Sequence, residues 1–378
     1  MHVYIAGHSS ALYGAELSMY SLAQCAKEAG YRVTASVPTT GPLVERLNQV
    51  CDETVVVATA PWMGRRHSLP VGAIRIAQAT ASIRSYQRLI DRVKPDAVLT
   101  NSAVIPAPAY AARRCGVPHV WYVGESFGTN PTLRSALHPR QIASRLSNLS
   151  ARTIAVSRFV AAQLATAYPP ISSKLSVIPP PALADRLGPL PRPTMRKPGP
   201  LRVLLAGSFS PEKGQMDAVR AVGECYARNH HVELRLVGGG HHRMTERIQS
   251  SADSLGVSHL VTIESWTNGV EALYQWADVV LMLSKNEAFG LVTVEALSYG
   301  CPVVGYDRGS TPELLSAGGG ICVDPDPRAL ASALGQLASD PSRLEQLTDA
   351  TANNEQRLAE YRRAPETILS VLRGVANA

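Results

Sequence analysis

The sequence predicts an α/β protein with two Rossmann-like domains, each built on a parallel sheet. Residues 1–37 read as strand, glycine-bearing loop, helix and strand, which is the pattern of a βαβ unit. The same pattern restarts at Leu201, after a stretch dense in proline. A chain of 378 residues, 45% of them hydrophobic, is long enough for two such cores. The predicted parts are a first domain at 1–184, a linker at 185–200, a second domain at 201–360 and a last helix at 361–378.

Composition limits the classes of protein that fit. No apolar run approaches the roughly 18 residues that cross a membrane, and the N-terminal residues read as a strand, so we expect a cytoplasmic chain. The six cysteines include no C-x-x-C pair, which predicts neither a zinc site nor a disulfide framework. The net charge of +7 suits an anionic donor, an anionic lipid surface or nucleic acid, and composition does not choose among them.

The first domain begins with strand His2–Ala6 and a loop that carries Gly14. The fingerprint G-x-G-x-x-G is absent from this loop, which argues against a nicotinamide-binding domain. A later strand begins at Pro118 and ends in the carboxylate of Glu125, at the edge where open α/β sheets bind ligands. We expect His119, inside this strand, to be a core or edge residue.

A basic segment lies between Pro61 and Pro95. It opens with Trp62, Arg65 and Arg66 and continues into a predicted helix with further arginines. Such a segment can dock on anionic lipid headgroups at the inner face of the membrane, or meet an anionic acceptor. The simpler interpretation is a solvated helix face. Nucleic acid is not expected, because no stacking aromatic residues are interleaved with these arginines.

The second domain repeats the strand-to-loop pattern. A strand that starts at Leu201 runs into loop Gly207–Gly214, which carries Ser208 and Lys213, and a helix follows. The next strand ends at Gly238, the first of three consecutive glycines. Both loops lie at the carboxyl ends of strands, the edge of an open α/β sheet where ligands bind.

Two carboxylates bracket the next strand-to-helix turn. The apolar run Ala277–Leu283 predicts a buried parallel strand, Glu287 lies on the loop after it, and Glu295 lies inside the following helix. The pair can hold opposite ends of one elongated ligand, and a carboxylate that accepts two hydroxyl hydrogen bonds suits a sugar diol. The alternative is two solvated glutamates near a helix start, where the helix dipole favours them.

The wider string around these glutamates is more specific than the pair. Glu287-Ala-Phe-Gly-Leu-x-x-x-Glu295-Ala, then Gly-x-Pro-Val-Val, then Gly309-Ser-Thr-Pro-Glu313 resembles the donor-site signature of the family 4 retaining glycosyltransferases. The resemblance covers most of the chain and is strongest over residues 201–315. It implies the GT-B fold, in which two Rossmann-like domains face a central cleft and the last helix crosses back to the first domain.

The resemblance gives roles to the residues of this string. It implies that Glu287 contacts hydroxyls of the donor sugar and that Glu295 holds the ribose of the nucleotide. It also implies that the backbone approaches the sugar and the phosphates at Phe289, Gly290 and Leu291.

The phosphate side of the donor site departs from the family pattern. By resemblance Lys213 clamps the diphosphate, and the backbone at Gly207 and Gly238 approaches the nucleotide. Ser208 stands where relatives carry an arginine, so one of two phosphate cations is replaced by a neutral group, and a neutral hydrogen bond is about half as strong. Trp266 lies beside the base in relatives, and the sequence leaves open whether it walls the base or fills the core.

The first domain carries two further departures. The family's Gly-Gly-Ala-Glu loop packs under the donor phosphates, and here Tyr13 replaces its first glycine, so only Gly14 carries over. Gly124 stands where many relatives have a histidine near the anomeric centre. We therefore expect the adjacent Glu125 to face the acceptor hydroxyl.

These features together predict a retaining, metal-independent glycosyltransferase. It would move a sugar from a nucleotide-diphosphate sugar, its donor substrate, to a hydroxyl of a glycan, lipid-linked or small-molecule acceptor, with Glu287, Lys213 and Glu125 as catalytic groups. No cofactor beyond the donor and no metal site is expected. The alternatives are a nucleotide-sugar-binding subunit or scaffold that has lost catalysis and, less favoured, a GT-B epimerase or phosphorylase.

Overall fold

The structure is a computed structural model that describes residues 1–64, 69–126, 130, 133–189, 199–240, 242–266 and 269–378. These residues form two compact units, one of Met1–Asp185 with Glu360–Ala378 and one of Arg186–Ala359. Arg65 and Arg66, predicted to contact a membrane, lie outside the described residues, as does 190–198 of the predicted linker.

A parallel sheet forms the centre of the first unit. The strands of this unit are β1 (His2–Gly7), β2 (Arg32–Val37), β3 (Glu53–Val56), β4 (Met63–Gly64), β5 (Ala97–Asn101), β6 (His119–Val123), β7 (Arg134–Ser135), β8 (Arg152–Ala155) and β9 (Leu175–Val177). The sheet order is β3-β2-β1-β5-β6-β8-β9, and β4 pairs with β7 in a separate antiparallel ribbon. Every residue of β1, β5 and β6 is buried, as expected for central strands of a parallel sheet covered on both faces.

The second unit has its own parallel sheet. Its strands are β10 (Leu201–Ala206), β11 (Val232–Val237), β12 (Val261–Glu264), β13 (Val279–Met282), β14 (Val303–Tyr306) and β15 (Gly320–Val323). The order is β12-β11-β10-β13-β14-β15, and every neighbouring pair is parallel. The prediction of two α/β domains with parallel sheets is therefore confirmed.

Helices connect the strands. They are α1 (Gly14–Glu28), α2 (Pro42–Val50), α3 (Leu69–Val93), α4 (Ala107–Arg114), α5 (Pro139–Leu149), α6 (Arg158–Ala167), α7 (Gln215–Ala227), α8 (His242–Ser254), α9 (Val270–Trp276), α10 (Leu291–Ser298), α11 (Thr311–Leu315), α12 (Pro327–Ser339), α13 (Pro341–Asp349), α14 (Glu355–Arg362) and α15 (Ala364–Ala376). The last helix, α15, belongs to the first unit. Arg373 on this helix donates two hydrogen bonds, of 2.6 and 2.9 Å, to the hydroxyl of Tyr31, just before β2.

Both sheets reverse their strand order beside their first strand. β1 lies between β2 and β5, and β10 lies between β11 and β13. In open α/β sheets, ligands bind outside the carboxyl ends of the strands at such a switch point. The expected ligand-binding position of the first unit is therefore at the loops after β1 and β5. That of the second unit is at the loops after β10 and β13.

Candidate functional site

The loops after β10 and β13 pack directly on each other. The backbone N–H of Lys285 donates to the carbonyl of Glu212 over 2.9 Å. Gly214 has a φ of +80°, and a Cβ at this position would lie 2.4 Å from the Cβ of Leu283. A glycine is required there, because any side chain would push the two loops apart. Two segments that are about 70 residues apart in the sequence thus form one surface at the switch point.

An ion pair occupies this surface. The Nζ of Lys213 lies 3.0 Å from Oε2 of Glu287 and donates a second hydrogen bond, of 3.2 Å, to Oγ of Ser284. The side chain of Glu287 is 15% exposed and that of Lys213 is 37% exposed. Burial alone raises the pKa of Glu287, but the charge and hydrogen bond of Lys213 outweigh it, so this pKa lies below its ordinary value. The carboxylate is held ionised beside a cation that solvent can reach.

The glycine-serine turn before α11 fixes the backbone of Glu287. Ser310 donates from its N–H to the carbonyl of Glu287 over 3.1 Å, and from its Oγ to the carbonyl of Phe289 over 2.6 Å. Gly309 has a φ of +62°, and a Cβ there would lie 2.3 Å from the carbonyl oxygen of Glu287. In the structure, this part of the string that resembles a donor-site signature supports the glutamate loop.

Helix α10 starts at the end of this loop. Phe289 is buried, Gly290 precedes the helix with a φ of +95°, and Leu291 is its first residue. The first backbone N–H groups of a helix have no partner within it and carry a partial positive charge. The stretch predicted to approach the sugar and phosphates is therefore the N-terminus of a helix beside the Lys213–Glu287 pair.

The glycines after β10 and β11 bring their backbones together. The N–H of Gly207 donates to the carbonyl of Val237 over 2.9 Å, and a Cβ on Gly238 would lie only 1.9 Å from the carbonyl oxygen of Gly207. The carbonyl of Ser208 accepts a 3.0 Å hydrogen bond from Nε2 of Gln215, whose side chain is fully buried. Sequence reasoning missed Gln215, because a glutamine at a helix start carries no distinctive signal.

Trp266 stands beside these glycines at the surface. Its side chain is 54% exposed, and a Cβ on Gly239 would lie 3.1 Å from the indole Cδ1. The ring therefore does not fill the core. Filling the core was one of the two interpretations that the sequence left open. An exposed flat aromatic ring at the carboxyl end of the sheet is suited to stacking.

Glu295 is almost completely buried in α10. It is 1% exposed, and both carboxylate oxygens are occupied: Nε of Arg186 donates to Oε1, and the hydroxyl of Tyr274 donates to Oε2 over 2.7 Å. The ring of Tyr274 stacks on Tyr299 with centroids 5.2 Å apart. Sequence reasoning missed Arg186 and Tyr274, because nothing local in the sequence marks either as a partner of Glu295.

In the first unit, Glu125 holds a turn at the switch point. Its carboxylate accepts hydrogen bonds from Oγ of Ser102 and, over 3.0 Å, from the N–H of Ala103. Ser102 has a φ of +113°, a strained value for a residue other than glycine. The carboxylate thus stabilises a strained turn beside the position predicted to face the acceptor.

Gly14 and His119 are two further positions of the first unit that the sequence analysis considered. Gly14 is the first residue of α1, and Glu16 accepts a 3.2 Å hydrogen bond from the N–H of Tyr13. Nε2 of His8, which sequence reasoning did not select, lies 3.5 Å from the same carboxylate. His119 is buried, and burial lowers its pKa to about 3, so its ring is neutral in the core as predicted.

Trp62 corrects one prediction. Its indole is 4% exposed and donates a 2.7 Å hydrogen bond to the carbonyl of Ala103. The ring is therefore part of the core and cannot insert into lipid headgroups. The sequence placed it among basic residues, which suggested an exposed loop, but a buried acceptor on the neighbouring turn takes its N–H group.

Two absences concern residues 1–64, 69–126, 130, 133–189, 199–240, 242–266 and 269–378. Within those ranges, no group of three or more His, Cys, Asp or Glu residues is placed to hold a metal ion. Among the helices that the structure describes, none combines the length and apolarity needed to cross a bilayer.

Two protein-family models match the sequence over most of its length. The model described as Glycosyltransferase Family 4 matches residues 13–186. The model described as Glycosyl transferases group 1 matches residues 191–356. The first match covers most of the first unit and ends at Arg186, the first residue of the second unit, and the second match spans the loops that form the Lys213–Glu287 site.

Individual relatives match only part of the chain. The chain is 33% identical over 233 residues to a GDP-mannose-dependent alpha-(1-6)-phosphatidylinositol monomannoside mannosyltransferase of Mycolicibacterium smegmatis, covering 56% of this chain and 58% of that protein. It is 29% identical over 283 residues to a D-inositol 3-phosphate glycosyltransferase of Streptomyces griseus, covering 65% of this chain and 60% of that protein. The chain thus spans less than two thirds of the length of these curated relatives.

The fold has solved counterparts. The structure of Anabaena Alr3699/HepE in complex with UDP superimposes with a TM-score of 0.75 at 18% sequence identity, covering 98% of this chain and 100% of that chain. At this identity the likeness concerns the fold alone.

Proposed function

Because its two halves match models of one glycosyltransferase family, the chain belongs to the family 4 glycosyltransferases, and we propose that it transfers a sugar from a nucleotide-diphosphate sugar to an acceptor hydroxyl. We further propose that the anomeric configuration of the sugar is retained. The reaction would take place at the loops after β10 and β13.

The Lys213–Glu287 pair at the start of α10 is the observation that supports this proposal most. A cation that solvent can reach lies 3.0 Å from an ionised carboxylate, beside the N-terminus of a helix. In the proposal, Glu287 accepts hydrogen bonds from sugar hydroxyls, and Lys213 and the helix N-terminus receive the diphosphate. A nucleotide sugar presents these two groups next to each other.

Leaving-group stabilisation would supply most of the catalysis. As the bond between the sugar and the diphosphate breaks, negative charge grows on the phosphate oxygens. Lys213 and the N-terminus of α10 are fixed before the reaction, so they would stabilise this charge without reorganising. Glu125, on the first unit, is proposed to face the acceptor hydroxyl.

The relatives suggest donors and acceptors to test. One relative is named as GDP-mannose-dependent and acts on a phosphatidylinositol mannoside, another is named for D-inositol 3-phosphate, and a neighbouring structure holds UDP. We propose a guanosine- or uridine-diphosphate sugar as the donor and an inositol-bearing or lipid-linked hydroxyl compound as the acceptor.

Binding and turnover test the proposal. Thermal unfolding with UDP, GDP, ADP and TDP should show stabilisation by one of them, since a ligand at about 100 times its Kd adds roughly 2.7 kcal/mol. Turnover of GDP-mannose and UDP-glucose should fall about 100-fold or more in Glu287→Gln and Lys213→Ala. Lys27→Ala removes a comparable ion pair, with Asp52 on the first unit, and should leave turnover unchanged.

Two results would contradict the proposal. One is that none of the four diphosphates shifts the unfolding transition. The other is turnover that survives in both site variants. Retention is tested separately by NMR of the product, whose anomeric configuration should match that of the donor.

A binding subunit without catalysis is the second candidate, and Ser208 favours it. In place of the arginine that relatives carry, this residue offers the diphosphate only neutral groups, and its carbonyl is already bonded to Gln215. Diphosphate binding without turnover toward any acceptor of the panel would support this candidate. Conversion of the donor sugar in the absence of an acceptor would instead indicate an epimerase.

Contact with an anionic membrane surface is proposed for helix α3. Arg84 and Arg88 are exposed one turn apart on this helix, and Arg65 and Arg66 precede it in the sequence. Co-sedimentation with vesicles that contain phosphatidylglycerol should be lost in the double variant Arg84→Glu/Arg88→Glu. Equal sedimentation of the variant and the wild type would exclude this surface.

A further inference from the structure

The carboxylate predicted to hold a ribose is closed off in this structure. Glu295 is 1% exposed, and each of its oxygens already accepts a hydrogen bond, one from Arg186 and one from Tyr274. A ribose diol could donate to Glu295 only after one of these partners moves. The two partners differ in how firmly they are held.

Tyr274 is the fixed partner. Its side chain is 4% exposed, and its ring stacks on Tyr299 at an interplanar angle of 17°. Moving this hydroxyl away from Glu295 would require unpacking the stacked rings. The tyrosine is therefore expected to keep its hydrogen bond whatever binds nearby.

Arg186 is the partner that can move. Its side chain is 29% exposed. The backbone two residues further on is anchored to α10: the N–H of Gly188 donates to Oγ of Ser298 over 2.9 Å, and a Cβ there would lie 2.7 Å from the ring of Tyr299. The chain path is thus fixed while the guanidinium can rotate towards solvent.

A nucleoside diphosphate carries the two groups that would replace this ion pair. The ribose hydroxyls can donate to the carboxylate, and the diphosphate, joined to the same ribose, can accept from the guanidinium. Arginine binds phosphate through two parallel hydrogen bonds. The neutral Ser208 leaves a cation missing from the loop after β10.

We infer that Arg186 is a donor-binding residue that exchanges partners: it caps Glu295 when the site is empty and moves to the diphosphate when the ribose takes the carboxylate. This inference rests on the proposed function. It assigns to Arg186 the second phosphate cation that Ser208 does not provide, and it makes access to Glu295 depend on a ligand that carries both a diol and an anion.

The exchange keeps the buried carboxylate hydrogen-bonded in both states. A carboxylate that is 1% exposed would be strongly destabilised without a partner. In the empty site Arg186 supplies an opposite charge, and in the occupied site hydrogen bonds from the ribose hydroxyls and Tyr274 would satisfy its oxygens. A nucleoside without phosphates would displace Arg186 without offering it an anion, so the wild type should bind it poorly.

The test compares the diphosphate that binds the wild type, GDP or UDP, with its nucleoside, guanosine or uridine. Calorimetry measures the affinity for the diphosphate. Displacement of the bound diphosphate by the nucleoside measures the affinity for the nucleoside. In Arg186→Gln, the diphosphate should bind about tenfold or more weakly, the scale of one lost charge-assisted hydrogen bond. The nucleoside should bind as tightly as to the wild type or more tightly, because no cation has to leave Glu295.

Two further variants complete the experiment. Arg186→Lys keeps the charge but not the two parallel donors, and it should fall between the wild type and Arg186→Gln for the diphosphate. If Arg186→Gln does not fold, the diphosphate and nucleoside affinities of Arg186→Lys test the exchange instead. Arg228→Gln removes an arginine paired with Glu224 on the outer surface of α7, and it should change neither affinity.

Several outcomes would overturn the exchange. A purely structural role predicts that both ligands weaken by the same factor, and no role predicts that neither changes. A crystal structure of the diphosphate complex in which Arg186 still contacts Glu295 would also refute it. If neither GDP nor UDP binds the wild type, both the proposed function and the exchange are contradicted. If a diphosphate binds the wild type and the Arg186 variants have the same affinities, only the exchange is contradicted.

Discussion

Lys213 and Glu287 form an ion pair across two loops, with Nζ 3.0 Å from Oε2. The pair joins the loop after β10 to the loop after β13, and Ser284 shares the same ammonium. The sheet brings these loops together, and the ion pair holds the side chains of Lys213 and Glu287 in place where the loops meet.

Acid should weaken this ion pair, and with it the fold. The pKa of Glu287 is lower in the folded chain than in the unfolded chain, so the pair stabilises the fold above the unfolded-chain pKa. The stability is lost as the pH falls through the folded-state pKa. In Glu287→Gln, the melting temperature should therefore decline less steeply than in the wild type below about pH 5. Parallel curves for the two proteins would contradict this expectation.

A methyl group at Gly238 should be poorly tolerated. The Cβ of alanine would lie 1.9 Å from the carbonyl oxygen of Gly207, so the two loops would have to separate. We expect Gly238→Ala to lose about 1–3 kcal/mol of unfolding free energy and to weaken diphosphate binding. The control Gly374→Ala, in α15 with no atom within 4 Å of the new Cβ, should be neutral or slightly stabilising. Equal stability of both variants in urea unfolding would refute the argument.

Glu125 should matter for stability as well as for the proposed acceptor role. Glu125→Ala would leave Ser102 and Ala103 without their acceptor beside a strained turn, at a cost of about 1–3 kcal/mol. Glu125→Gln keeps one carbonyl oxygen and should cost less. The acceptor role predicts that turnover per folded molecule also falls in Glu125→Gln. Unchanged turnover per folded molecule would remove that role, and Glu246→Gln, at an exposed pair on α8, is the control.

Trp266 should contribute to ligand binding rather than to stability. Its ring is 54% exposed, so Trp266→Ala should leave the melting temperature nearly unchanged. If the ring stacks on the base, diphosphate affinity should fall by about 1–3 kcal/mol. Tyr226→Ala, which removes an aromatic ring of similar exposure on α7, should leave that affinity unchanged. A large loss of stability in Trp266→Ala, or undiminished affinity, would exclude a stacking surface.

Local patterns in the sequence were sufficient for the sheets and for the loops at their carboxyl ends. Apolar runs predicted strands such as β13, and the residues after such runs predicted the loops that begin at Gly207 and that carry Glu287. These features depend on neighbouring residues, so a single sequence shows them.

Contacts between distant residues were not predictable in the same way. Arg186 and Glu295 are 109 positions apart, and no periodicity connects them. The hydrogen bonds of Ser310 to the carbonyls of the glutamate loop, more than 20 positions earlier, also have no local signal. Trp62 looked exposed because of its basic neighbours, and its burial depends on an acceptor at Ala103.

The chain order of the two units has a consequence for biosynthesis. Helix α15 belongs to the first unit, and Arg373 ties it to Tyr31, although 342 positions separate the two. The ribosome therefore finishes the entire second unit before it supplies the last piece of the first. Until Glu360–Ala378 emerges, the face of helix α1 that α15 covers stays exposed, so the first unit cannot complete its packing before the second unit has been synthesised.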